Sequence, residues 1–218
     1  MQNTQSRPGL TTARVEAFSD GVFAIAITLL VLGIAEPALE STELHSGTLF
    51  DTVVLLWPKI LSFAIGFSVI GIFWMGHTIM FHYIVRADRL LIGFNTLLLM
   101  MVSFFPFPAA LIGTYSEDLT AVVLYGTTLF LAGVFFSLIW WHATRHRRLI
   151  RQDLDPAIIA LGRKVIRFAS AGYGLAVLLA FIDPRWSLGL YILVPLAYIL
   201  PGPVDRLIHF AEAEQRVH

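Results

Sequence analysis

Six stretches of this chain are apolar for long enough to cross a bilayer: 14–35, 52–82, 89–114, 119–143, 163–182 and 187–204. A spanning helix needs about 20 mostly apolar residues, because the hydrocarbon core is ~30 Å thick and a helix rises about 1.5 Å per residue. Inside lipid every backbone polar group must bond internally. The runs therefore predict an all-α integral membrane protein, a single six-helix domain over 1–218. Composition agrees where it matters. Charged residues make up 14% of the chain and hydrophobic residues 57%, too few charges to cover a soluble fold of this size. Pro106 and Pro108 predict a kink near the end of the third run, and Pro195 does the same in the sixth. Trp57, Pro58 and Lys59 mark an interfacial first turn in the long second run.

Other classes fall away. The chain has no cysteine, so disulfides, thiolate metal sites and cysteine nucleophiles are excluded. Formal net charge is zero, so no bulk charge calls for nucleic acid. Acids sit between Arg14 and the first apolar run, and no clean cleavage site follows. That run reads as a retained helix, not as a signal peptide.

Lys and Arg set the orientation. With the N-terminus inside, thirteen of the 15 basic residues fall on inner segments, and only Lys59 and Arg185 fall outside. That bias places both termini in the cytoplasm. The run Arg145-His146-Arg147-Arg148 reads first as this signal and second as a lipid-headgroup site.

The first run opens with unusual chemistry for a membrane helix: Arg14, Glu16, then Phe18-Ser19-Asp20-Gly21. A turn at Asp20-Gly21 would leave residues 22–35, about 21 Å of helix, which is too short to span. Starting at Arg14 gives about 31 Å, so the helix is expected to run through the motif. Asp20 then lies about 9 Å deeper than Arg14. A group at that depth needs partners. Trp74 and His77 lie near the inner end of the second helix, and Asn95 near that of the third. Arg14, Phe18, Ser19, Asp20, Trp74, His77 and Asn95 thus form one inner layer across three helices. This layer serves as polar glue or, alternatively, as a proton relay or substrate site through Asp20 and His77. A metal is not expected, because His77 and His82 are five apart and no carboxylate joins them. Further along, Ala17, Gly21, Ala24 and Thr28 form a small-residue seam suited to close helix contact. Phe18, Val22, Ile25, Leu29 and Leu32 form an adjacent apolar stripe, whose plain reading is a face toward lipid or core.

These residues resemble a known signature. RVEAFSDGVFAIAITLLVLGI is similar to the first helix of the transmembrane protein 175 family, the endosomal and lysosomal potassium channels and their bacterial relatives. Further matches are Trp74 and His77 in FWMGHTIMFHY, Asp88 and Asn95 in ADRLLIGFNTLLLM, and Phe105-Pro106-Phe107. The resemblance covers roughly residues 12–110. It implies the bacterial single-unit form, a homotetramer in the cell membrane with helix 1 lining a central pore. It implies an apolar gate at Ile25, Leu29 and Leu32, and a potassium preference linked to Thr28. It implies no enzyme activity and no cofactor beyond permeant potassium ions. The signature departs from the family near Gly33, where an acidic residue is often found. Glu36, Glu40, Glu43 and Asp51 follow in a loop that either draws cations to the outer mouth or is simply solvated. Two rivals remain at this point: a proton-coupled transporter using Asp20 and His77, which lacks a visible inverted repeat, and a membrane enzyme, which lacks a catalytic constellation.

Overall fold

The computed structural model describes residues 12–34 and 49–199. Its elements are all helical: α1 (Thr12–Leu29), α2 (Leu49–Leu55), α3 (Trp57–Tyr83), α4 (Arg89–Phe104), α5 (Pro106–Thr114), α6 (Leu119–Thr144), α7 (Pro156–Ala180) and α8 (Pro184–Ile199). Beyond α1 the chain makes a turn at Leu30 and Val31 and one more helical turn to Ile34. Glu36, Glu40, Glu43, Arg7, Arg206 and Arg216 lie outside the described residues, as do the ends of the first and sixth expected runs.

Four of the expected spans are long and apolar enough to cross a membrane by length and composition: α1 through Ile34, α3, α4 with α5, and α6. The fifth and sixth expected spans do not reach that standard among the described residues. Arg163, Lys164 and Arg167 interrupt the apolar run of α7, and the described part of α8 has 16 residues.

Three boundaries differ from the hydropathy reading. The expected helix 52–82 is two helices, broken at Leu56. Pro58 has no N–H to donate back to residue 54, and its ring crowds that carbonyl. The helix therefore restarts with Pro58 in its first turn. The kink expected at Pro106 is a break between α4 and α5, where the Phe105 N–H closes α4 on the carbonyls of Met101 and Val102. Finally, α7 starts at Pro156, not at 163. Asp155 caps it by accepting from the Ala157 N–H at 2.7 Å, and Pro156 takes a first-turn place. The charges at 163, 164 and 167 hide this start from hydropathy because they lie on an exposed face, while Ile158, Ile159, Gly162 and Ser170 are buried.

The centre of the protomer is α6, packed against α4 and α5 on one side and α7 on the other, with α8 on α7. Close approach there depends on glycine. A Cβ on Gly126 would fall 2.1 Å from the Tyr191 hydroxyl, and one on Gly133 would fall 2.5 Å from Ser170 Oγ. The Tyr191 hydroxyl donates to the Val122 carbonyl at 2.8 Å, so it is held in that place. By contrast α1 sits at the edge, on α3 and α4.

The α3–α4 and α6–α7 connections meet at one end of the bundle. Ile84 and Ile150 form an antiparallel bridge, and the Val85 N–H donates to the Leu149 carbonyl at 2.9 Å. Asp88 joins the two connections: it caps α4 through the Leu91 N–H and accepts from His142 Nε2 and Arg148 Nη2, each at 2.9 Å. Partial burial pushes the Asp88 pKa up, but the Leu91 amide, His142 and Arg148 outweigh it and hold the carboxyl below its ordinary range. The basic run 145–148 is therefore partly structural. Arg147 adopts a left-handed backbone (φ 52°) and donates to the Gln152 and Leu154 carbonyls. Arg145 lies 5.0 Å over the Trp141 ring. Lys59 and Arg185 belong to the opposite end: Arg185 pairs with Glu117, and Lys59 lies beside Gly113 at the end of α5.

Candidate functional site in helix α1

Helix α1 runs unbroken through Phe18-Ser19-Asp20-Gly21, as the length argument required. Local hydrogen bonding explains why the polar residues do not break it. Ser19 Oγ donates to the Val15 carbonyl one turn back, at 2.8 Å, and Thr28 Oγ1 donates to the Ile25 carbonyl at 2.8 Å. Each hydroxyl satisfies its proton on the helix itself and keeps its lone pairs for other partners.

Two sets of hydrogen bonds tie this helix to its neighbours. In the first, Asn95 Nδ2 donates to Ser19 Oγ at 2.9 Å, and His77 Nε2 lies 3.0 Å from Asn95 Oδ1. An amide oxygen only accepts, so His77 carries its proton on Nε2 here. Ser19, His77 and Asn95 are all buried. His77 also stacks on Phe81 (4.3 Å between ring centres) and meets the edge of Phe23 (5.6 Å). In the second set, Trp74 Nε1 donates to Asp20 Oδ1 at 2.9 Å on an exposed flank. The two sets share helices but no atom. The structure thus brings together Ser19, Asp20, Trp74, His77 and Asn95.

Arg14 and Phe18 do not join these bonds within the single chain. Both are exposed, Phe18 at 64%. The reason is helical phase. Arg14, Phe18, Gly21, Ile25, Leu29 and Leu32 recur at three- and four-residue steps along one face, on the side away from Ser19. Ile25 is 61% exposed, Leu29 41% and Leu32 48%. Thr28 lies on the same side and is exposed. The buried face is Ser19, Phe23, Ala26 and Leu30, which hydropathy did not single out. Counting i, i+4, i+7, i+11 from Ser19 would have found it. Val22 is half-buried and lies off the exposed stripe.

The seam of Ala17, Gly21, Ala24 and Thr28 makes no close contact within the single chain. It is exposed, and a Cβ on Gly21 would meet nothing within 4 Å. The close contacts of the first span within the protomer are elsewhere. A Cβ on Gly33 would fall 3.0 Å from the Ala110 Cβ, and Leu30 packs on Gly66 of α3. Among the described residues no group of three or more His, Cys, Asp or Glu is placed to hold a metal.

This arrangement falls within the stretch matched by a family model. Residues 14–106 match the model described as endosomal/lysosomal potassium channel TMEM175. A protein named as a potassium channel from Streptomyces collinus is 39% identical over 86% of this chain and 91% of its own length. Another, from Chamaesiphon minutus, is 36% identical over 87% of this chain and 94% of its own. The human endosomal/lysosomal proton channel TMEM175 is 33% identical over 88% of this chain but only 41% of its own length. A crystal structure of a lysosomal potassium-selective channel TMEM175 homologue from Chamaesiphon minutus superposes with a TM-score of 0.76 at 33% identity, over 87% of this chain and 96% of that one. With identity above 30% sustained over most of its length, and α1 with its hydrogen-bonded partners inside the matched stretch, this chain belongs to the TMEM175 family of membrane ion channels.

Proposed function

We propose that this protein is a potassium-selective cation channel, assembled as a homotetramer in which four α1 helices line a central pore. The observation that carries the proposal is the exposed face of α1. It sets Ile25, Leu29 and Leu32 opposite a buried face pinned by Ser19. A helix facing only lipid gains nothing from small residues. This face interleaves Gly21 and Ala24 with Ile25 and Thr28, which suits close approach between copies of itself.

In that assembly Ile25, with Leu29 and Leu32, forms apolar rings. A narrow apolar ring empties of water, so an ion there pays its full dehydration cost and the pore is shut. A slightly wider ring passes a partly hydrated ion, and potassium gives up water more readily than sodium. Thr28 has spent its proton on the Ile25 carbonyl, so its oxygen lone pairs are free to replace lost water, directly or through an ordered water. Asp20, Trp74, His77 and Asn95 act as anchors that hold the helix in phase and need not touch the ion. Arg14 shares the Ile25 face one span-end away and would set a positive ring at the inner mouth.

The test is a planar bilayer holding the purified protein, with potassium on one side and sodium on the other. A passive current reversing toward the potassium equilibrium potential is expected, and Ile25→Ala should raise its leak. A current with no cation preference removes the proposal. A second reading, proton conduction, takes its support from the vertebrate relatives named as proton channels. A pH gradient at symmetrical potassium reads it directly. Saturable, proton-coupled uptake abolished by Asp20→Asn would instead favour a transporter. In the structure Asp20 and His77 belong to separate direct hydrogen-bond sets.

A further inference from the structure

A cavity of about 100 Å³ lies between α3, α6, α7 and α8, away from α1 and its bonds. Its floor includes Trp140, Phe136, Tyr173 and Gly162, and its half-buried rim includes Ile79 and Ala169. The floor is built by omission: a Cβ on Gly162 would fall 3.1 Å from the Trp140 ring, and one on Gly76 would fall 3.2 Å from the Phe136 ring. Its lining is almost wholly apolar, and two of its few polar groups are already used. Trp140 Nε1 donates to the Ile159 carbonyl at 3.2 Å, and the Tyr198 hydroxyl donates to the Val165 carbonyl. A site with so few free polar partners does not hold water well, so its occupant is apolar.

The same stretch of α7 carries charge. Arg163 follows Gly162 directly, and Lys164 and Arg167 flank the rim residues Val165 and Ile166. All three cations are exposed, and none forms an ion pair with a carboxylate among the described residues. An apolar slot and a cluster of unpaired cations at one depth, in a membrane protein, match a molecule with a hydrocarbon tail and an anionic head.

We infer that this cavity holds an acyl chain of an anionic phospholipid whose headgroup rests on Arg163, Lys164 and Arg167. The site is separate from the conduction pathway proposed above, so it stands or falls independently of it. Trp140 on the floor provides the readout. The purified full-length protein, stripped of lipid in detergent, is titrated with phosphatidylglycerol or phosphatidylcholine carrying brominated acyl chains. The signal is the tryptophan quenching lost in Trp140→Phe. Phosphatidylglycerol should quench Trp140 at about tenfold lower mole fraction than phosphatidylcholine, the scale expected for a few basic residues near an anionic headgroup. Joint Arg163→Gln, Lys164→Gln and Arg167→Gln should bring the two lipids level. Ala169→Phe, which fills the rim, should abolish the Trp140 signal for both while leaving the circular dichroism unchanged. Equal quenching by the two lipids in the unmodified protein would overturn the headgroup assignment. No Trp140-dependent quenching by either lipid would overturn the site, and would mean that another part of this chain or a second copy covers the slot.

Discussion

Helices α1 and α6 are equally apolar over their best membrane-length windows, yet 22% of that window is buried in α1 and 50% in α6. The difference lies in how each is held. Helix α6 is fixed by shape: Gly126 and Gly133 bring α8 and α7 close, and large side chains such as Tyr125 and Ile139 fill the remainder. Helix α1 has few such contacts and is fixed by chemistry, through Ser19 and Asp20. Packing in lipid gains little from hydrophobicity alone, because the tails are as apolar as leucine. An edge helix that must keep one face free therefore needs directional bonds to define its rotation. That combination, one face pinned and the other open, is what the pore-lining role proposed above requires.

The largest expected effect tests the polar anchor. Asn95→Leu leaves the buried His77 Nε2–H without a partner and removes the bond that Ser19 Oγ accepts, while Ser19 keeps its own bond to the Val15 carbonyl. The unsatisfied N–H costs roughly 1–3 kcal/mol and the lost Asn95–Ser19 bond about 1 kcal/mol more, so about 3 kcal/mol should be lost in detergent unfolding. Conduction should become irregular even where the protein still assembles. Little change in either would mean that α1 is held by packing after all.

A matched pair of glycine substitutions sharpens the contrast. Gly126→Ala must displace the Tyr191 hydroxyl from the Val122 carbonyl. Overpacking and a lost buried hydrogen bond together should cost about 3 kcal/mol. Gly21→Ala meets nothing within the protomer. It should leave protomer stability unchanged or raise it by up to about 1 kcal/mol through helix propensity. Melting temperatures of the two variants read the difference. A Gly21→Ala protein that folds well but loses its oligomer on size-exclusion chromatography would locate a copy-to-copy contact on that face.

Arg14→Gln bears on the open face. If four copies ring the inner mouth, removing their charge should raise outward cation current by a factor of a few and change rectification, with the reversal potential preserved. An unchanged current–voltage curve would place Arg14 away from the pathway.

The smallest effect concerns the clasp at Asp88, which belongs to the α6 side of the comparison. Its carboxyl is held below the ordinary range by the Leu91 amide, His142 and Arg148, against the opposing pull of burial. A depressed carboxylate stabilises fully above the unfolded pKa of ~3.9, and that contribution fades as pH falls through the lower folded value. Asp88→Asn should therefore lower the melting temperature at neutral pH and flatten its decline in acid. Asparagine still caps α4 through its amide oxygen, so the loss is confined to the charge facing His142 and Arg148. A variant that keeps the full acid decline would assign that decline to other carboxylates.

Much of this was legible in the residues, and the reasons for the failures are specific. A fixed rise per residue against a fixed bilayer thickness requires α1 to run through Phe18-Ser19-Asp20-Gly21, and it does. The depth of Trp74, His77 and Asn95 followed from the same count. Rotation did not: Arg14 and Phe18 lie at a suitable depth but on the face away from Ser19, and only neighbouring helices define a face. Charges at 163, 164 and 167 masked the start of α7, since hydropathy averages over a whole turn and does not see that the buried side is apolar.

The sequence by itself determined that this chain is helical, membrane-embedded and marked by a family signature, because the bilayer imposes length and polarity residue by residue. The tertiary structure decided which side of α1 is pinned and which is open, how closely α6 meets α7 and α8, and where a cavity remains. Those depend on the phase between helices, and phase is set by contacts between residues far apart in the chain, from Ser19 on Asn95 to Gly126 under Tyr191.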